Sequence, residues 1–209
     1  MPMIPEALIA MHACARLGAI HSVVFGGFAA TELAHRIEHA KPKVIVTASC
    51  GIEPNKTIPY VPIIDEALRE CGHPSLPRII VQRHHHIAKD LNPHLYFDFD
   101  EEMAKVNKGH DCVPVEGQHP FYVLYTSGTT GHPKGIYRSQ APSMVSMEYF
   151  MEHIFNIKSG DVVFSSSDIG WIVGHNFIVY GPSIRGAATV VYEGKPVGTP
   201  NPGAMWRII

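Results

Sequence analysis

Apolar and polar positions alternate in blocks along the chain, and the blocks predict strands and helices in turn. Pro5 and Glu6 suit the first turn of a helix, where proline fits and a carboxylate faces the positive end of the dipole. Ala7, Met11, Cys14 and Gly18 then share one helical stripe, which Gly18 ends. Residues 20–25 read as a short buried strand broken by Gly26 and Gly27. Thr31 is placed to cap a helix through His39, stopped at Lys41-Pro42. Residues 44–47 are a second buried strand, 65–71 a helix and 78–82 a third strand. The stretch 83–118 is more polar and predicts a long surface connection with one short helix over 100–106. Residues 121–125 form another β-rich apolar run. A helix over 139–155, a strand over 162–164, a helix over 175–184 and a strand over 189–192 follow. Strand–helix alternation of this kind predicts an α/β fold with mostly parallel sheets flanked by helices.

Composition narrows the function classes. The 209 residues are 45% hydrophobic and 17% charged, a globular balance. The net charge of −2 offers no basic field for nucleic acid. Full protonation of the 14 histidines would move that charge to +12, so acid should strain this fold more than most. Cys14, Cys50, Cys71 and Cys112 lack metal or redox spacing and are expected as free thiols in a reducing compartment. Charged residues interrupt the most apolar stretch, 4–30, so no membrane span is expected. His84, His85 and His86 sit in a polar stretch and read as a solvated loop rather than a metal site. The chain starts and stops in core-like sequence, which predicts a piece of a larger domain.

The chemistry concentrates in Tyr125-Thr126-Ser127-Gly128-Thr129-Thr130-Gly131-His132-Pro133-Lys134-Gly135, directly after an apolar strand. Glycines let backbone N–H groups turn toward an anion, hydroxyls add donors, and a lysine supplies countercharge. These are the parts of a phosphate-cradling loop. The spacing is not that of the P-loop NTPases, so a Walker-type ATPase is not supported. The plain alternative is a Gly/Thr-rich hairpin turn.

This run, YTSGTTGHPKG, resembles the phosphate-loop signature of the AMP-forming adenylating enzymes. A second block, Ser167-Asp168-Ile169-Gly170-Trp171-Ile172-Val173-Gly174-His175, resembles the D-x-G-W-x-x-G-H block of the short-chain acyl-CoA synthetases. IHSVVFGGF, KPKVIVTASCGIEP, HDCVPV and YEGKPVGTP extend the similarity over nearly the whole chain. The last of these is closer to the propionate-preferring, often mitochondrial branch than to the acetate enzymes.

The resemblance implies a partial adenylating (AMP-binding) domain over 1–209, truncated at both ends and without the small C-terminal domain. It implies a propionate- or acetate-activating ligase that uses ATP, Mg2+ held through the ATP phosphates, and coenzyme A. No catalytic set is complete in such a piece, which on its own is expected to be inactive. The alternative is a nucleotide-binding remnant without catalysis. Thr126, Ser127, Gly128, Thr129, Thr130, Gly131 and Lys134 are implied to line the ATP phosphates. Gly26 and Gly27 are implied to lie along the pantetheine arm of coenzyme A. Lys56 stands where the acetate enzymes carry arginines near the coenzyme A nucleotide, although Glu53 there would repel phosphate. Trp171, Ile172, Val173 and Gly174 are implied to wall the acyl pocket, while His175 is read as structural. The implied partners are small molecules only, and the implied compartment is the mitochondrial matrix, with the cytoplasm as alternative.

Overall fold

The structure, a computed structural model, describes residues 1–53, 56–107, 109–126, 133–194 and 201–209. They divide into two compact units. One comprises Met1–Pro2 and Gly26–His110, the other Met3–Phe25 and Asp111–Ile209.

The first unit is built on a three-stranded parallel sheet. Strands β1 (Ile45–Ala48), β4 (Arg78–Val81) and β5 (Tyr96–Asp98) lie in the order β1-β4-β5. The apolar runs expected at 44–47 and 78–82 are the first two of these strands. β5 falls within the expected surface connection and was hidden there by its three-residue length. Helices α2 (Ala30–Ala40) and α3 (Tyr60–Glu70) pack on each other, burying Ala34, Ile37, Ile64, Ala67 and Leu68 in this unit. Thr31 does not cap α2. The cap position is Ala29, and the Thr31 hydroxyl instead donates to Glu70 at 3.4 Å. Lys41 ends α2 in the left-handed region at φ 48°. α4 (Phe99–Lys105) begins where Asp98 accepts from the Asp100 and Glu101 N–H groups at 2.9 and 3.1 Å. An unexpected antiparallel pair, β2 (Cys50–Glu53) and β3 (Lys56–Pro59), leads into α3.

The second unit holds α1 (Pro5–Leu17), which begins at proline and ends at Gly18, φ 64°, as its sequence predicts. The strand expected over 20–25 is not formed. This stretch runs extended and makes a single bridge, His21 to Tyr122, with the Val123 N–H donating to the His21 carbonyl at 2.9 Å. Only His21 of this stretch is buried, and Ile20 is half exposed. β6 (Pro120–Thr126) pairs antiparallel with β7 (Lys134–Ser139). β8 (Val162–Phe164) pairs parallel with β9 (Ala188–Val190), two residues shorter at its C-terminal end than expected. The helices expected over 139–155 and 175–184 are each composite. α5 (Gln140–Tyr149) widens into a π-helical turn at Phe150–Ile154. A second π-helical segment, His175–Tyr180, follows the short α6 (Ile172–Gly174) and precedes α7 (Gly181–Arg185). A 3.6-residue period cannot announce such insertions. The core of this unit is Phe121, Tyr122, Met147, Met151, Ile169, Ile178, Val179 and Tyr180.

Candidate functional site

Only the two ends of the phosphate-type run, up to Thr126 and from Pro133-Lys134 onward, fall among the described residues. Thr126 ends β6 and stands opposite Lys134 at the start of β7. Both residues are exposed, so the Lys134 ammonium can meet an anion from solvent. Ser127, Gly128, Thr129, Thr130 and Gly131 lie outside the described residues.

The second block packs beside the core of the same unit. Asp168 accepts from the Gly170 N–H at 2.7 Å, and burial raises the Asp168 pKa while that hydrogen bond opposes the rise. Trp171 leads into α6 half exposed, with its ring 6.3 Å from that of Phe25. Gly174 is fully enclosed. A Cβ there would collide with the Asp168 carbonyl and come to 2.7 Å of the Ile169 Cα, so only glycine fits. His175 sits under this turn. Its backbone N–H and its Nδ1 both reach the Trp171 carbonyl at 3.0 Å.

His175 belongs to a buried stack of rings. Its centroid lies 4.6 Å from Tyr122 and 5.5 Å from His21. His21 Nε2 is 2.5 Å from the Tyr180 hydroxyl, which donates onward to the Met11 carbonyl at 3.2 Å. His21 Nδ1 and His175 Nε2 have no hydrogen-bond partner. Burial, reinforced for His21 by the neighbouring His175 and His12, pushes the two pKa values down to about 3 and about 4. Both rings are therefore neutral at pH 7, in keeping with a structural His175.

One wall of the stack opens on a cavity of about 450 Å³. It is lined by Tyr122 of β6, Tyr137, Arg138 and Ser139 of β7, Pro142, Ser143 and Ser146 of α5, Phe150, Ile172 and Asn176. Of the four residues expected to wall an acyl pocket, Ile172 lines this cavity and Trp171, Val173 and Gly174 do not. Tyr122, Ser143, Ser146 and Asn176 carried no signal in the sequence. They are ordinary residues from separate elements, and Asn176 and Phe150 reach the cavity from the two π-helical segments.

The remaining candidates fall in the first unit. Gly26 and Gly27 form a turn. A Cβ at Gly26 would run into the Tyr60 hydroxyl, with Cζ at 3.0 Å, and one at Gly51 would meet the same ring with Cζ at 2.6 Å. Tyr60 thus threads between the turn and β2, and both positions need glycine to admit it. Lys56 is exposed on β3 and pairs with Glu53 at 3.6 Å. Among the described residues no group of three or more His, Cys, Asp or Glu is placed to hold a metal ion, and the four cysteines are free thiols.

The AMP-binding enzyme family matches residues 1–209, and the chain belongs to that family. It is 53% identical to the Bos taurus protein named acyl-CoA synthetase short-chain family member 3, mitochondrial, over all of this chain and 30% of that protein. The Homo sapiens protein of the same name is 52% identical over the same shares. The acetyl-coenzyme A synthetase of Methylobacterium radiotolerans is 39% identical, over the whole chain and 32% of that protein. Among solved structures, acetoacetyl-CoA synthetase from Streptomyces lividans superposes with TM-score 0.86 at 28% identity, over all of this chain and 31% of that one. The chain thus spans about a third of the length of these relatives.

Proposed function

We propose that this chain is the substrate-activating portion of an AMP-forming short-chain acyl-CoA synthetase acting on propionate or acetate. A carboxylate oxygen attacks the α-phosphorus of ATP and pyrophosphate leaves. The thiolate of coenzyme A then attacks the acyl carbonyl carbon and AMP leaves. The observation that carries this reading is the 53% identity sustained over the entire chain. Both steps need charge neutralisation and alignment more than a protein nucleophile, which suits a donor-rich loop.

In this reading Thr126, Ser127, Gly128, Thr129, Thr130, Gly131 and Lys134 hold the ATP phosphates, with Mg2+ arriving on them. Trp171, Ile172, Val173 and Gly174 shape the acyl side. Gly26, Gly27 and Lys56 serve coenzyme A. The pairing of Lys56 with Glu53 weakens its pull on phosphate, so Lys56 is the smallest contributor. The natural protein works in the mitochondrial matrix, as the names of its relatives suggest.

The test is ATP–pyrophosphate exchange by the natural protein that carries this chain, with propionate and acetate as acids. Exchange that depends on acid and falls at least ten-fold in Lys134→Ala is expected. Absence of exchange with either acid would sink the proposal. The 209-residue chain alone is expected to show no steady-state thioester formation.

A further inference from the structure

A phenylalanine in place of His21 would fill the same volume and leave no polar atom unserved. The imidazole keeps its Nδ1 buried without a partner, and His175 does the same with its Nε2. A buried nitrogen left unpaired costs desolvation free energy, and such exceptions concentrate at functional sites. What the imidazole has and a phenyl ring lacks is one N–H with a fixed direction.

The hydrogen-bond network fixes where that proton sits. The Tyr180 hydroxyl has a single proton and donates it to the Met11 carbonyl at 3.2 Å. It can therefore only accept from His21, so Nε2 carries the ring proton and donates across 2.5 Å. The unpartnered Nδ1 is then a lone pair on a neutral ring. At His175 the Trp171 carbonyl can only accept, so Nδ1 carries the proton there and donates across 3.0 Å.

Four segments meet at His21. Its Nε2–H reaches Tyr180 on the second π-helical segment and, through that hydroxyl, Met11 on α1. Its carbonyl accepts from the Val123 N–H of β6 at 2.9 Å. Its ring stacks on Tyr122 of β6, with centroids 5.5 Å apart and planes 16° apart, and on His175 at 5.5 Å and 28°. Among the described residues the run 20–25 makes one bridge, and His21 makes it. Both ring neighbours lead to parts of the proposed site. β6 runs from Tyr122 to Thr126, opposite Lys134. His175 holds the Trp171 carbonyl with its backbone N–H as well as its Nδ1.

We infer that His21 is a positioning residue, and that the bond from its Nε2 to Tyr180 sets the separation between the Lys134 end of β6 and the Trp171 turn. This rests on the carboxylate-activating function proposed above and deepens it. In that function a carboxylate oxygen must meet the α-phosphorus of ATP in line. A misplacement of about 1 Å costs on the order of a hundred-fold in rate, while each substrate keeps its own contacts. Loss of the bond is therefore felt in the rate of the activating step and not in the binding of ATP or the acid.

The test is ATP–pyrophosphate exchange by the natural protein that carries this chain, with propionate or acetate, whichever it exchanges faster. His21→Phe keeps a flat ring in the stack and removes the N–H, and Tyr180→Phe removes the acceptor of the same bond. Each is expected to lower kcat about ten-fold or more, with KM for ATP and for the acid changed by less than about two-fold. The double variant is expected to be no slower than either single variant, because all three lack the same bond. Urea titration establishes that each variant is folded under assay conditions, and Tyr180→Phe carries the test should His21→Phe fold poorly. A kcat within about two-fold of wild type in a folded variant overturns the inference, because a residue that only stabilises the fold leaves the folded enzyme at full rate. A loss confined to KM, or losses that multiply in the double variant, overturn it too. In each of these cases the wild-type exchange stands, and so does the proposed function. No exchange by the wild type with either acid overturns the proposed function and this inference with it.

Discussion

In the unit around Gly26–His110 the buried polar centre is ionic, whereas in the unit around Asp111–Ile209 it is a stack of neutral rings. In the first, Arg78 is almost wholly enclosed and meets Asp65 at 3.1 Å. The Tyr96 hydroxyl donates to the same carboxylate oxygen at 2.7 Å, and the guanidinium lies 5.0 Å from the Tyr96 ring centroid. Burial, then the Asp65 hydrogen bond, drives the Tyr96 pKa far above its usual value. In the second, His21, His175, Tyr122 and Tyr180 share ring faces and edges, and two imidazole nitrogens go unpartnered. The contrast teaches how each solution fails. A charge kept inside needs its counterion at all times. A neutral ring that can ionise is secure only while the solvent leaves it neutral.

Acid should separate the two most sharply. His21 and His175 have folded pKa values near 3 and 4, below the ordinary 6.5. The unfolded chain therefore takes up protons first. Their contribution is complete above about pH 6.5 and drains away as pH falls, down to about 4 for His175 and about 3 for His21. At pH 5 each accounts for roughly 2 kcal/mol of lost stability, or about 4 together. Urea titrations at pH 7.5 and 5.0 followed by tryptophan fluorescence would show it, because Trp171 and Trp206 both lie in the ring-stack unit. An unchanged midpoint would remove the contrast.

The ionic centre should break by mutation instead. Asp65→Ala leaves Arg78 enclosed without its counterion and is expected to cost about 3 kcal/mol. Adding Arg78→Met should return part of that loss. Hydrogen exchange would place the loss in the Gly26–His110 unit, and a double variant worse than Asp65→Ala would contradict the ionic account. The smallest effect concerns packing. Gly26→Ala drives a methyl group against Tyr60 and should cost about 2 kcal/mol. Tyr60→Phe removes the atom in the way and should recover about half, read from thermal unfolding of both variants. Equal losses with and without the hydroxyl would mean that the turn, not the ring, requires glycine.

The fold was legible where a residue type answers a backbone need. Pro5 and Gly18 bracket α1, and Ile45–Ala48 and Arg78–Val81 are apolar enough to announce buried parallel strands. β7 was not legible. Ile136 and Tyr137 on it are exposed, so no buried face imprints a period of two. The β2–β3 pair is short and interrupted by Gly51 and Pro59, and the run at 20–25 mimicked a strand because it is apolar and extended, although it makes only one bridge, His21 to Tyr122. For the site, the loop was read from its density of Gly, Thr and Ser and lies largely outside the described residues, and the Trp171 block was read from its resemblance to known ligases. The cavity stayed hidden because serine and asparagine on a helix look like surface until the fold turns them inward.

The β6–β7 ladder also sets a parity. Side chains along a strand alternate between faces, so Lys134 and Arg138 share one face of β7 only because three residues separate them. Losing or gaining a single residue between them would rotate every later side chain of the strand by half a turn. Arg138 would then face the side of the strand opposite to Lys134. The spacing between Lys134 and Arg138 can therefore change only in steps of two if both are to keep one face.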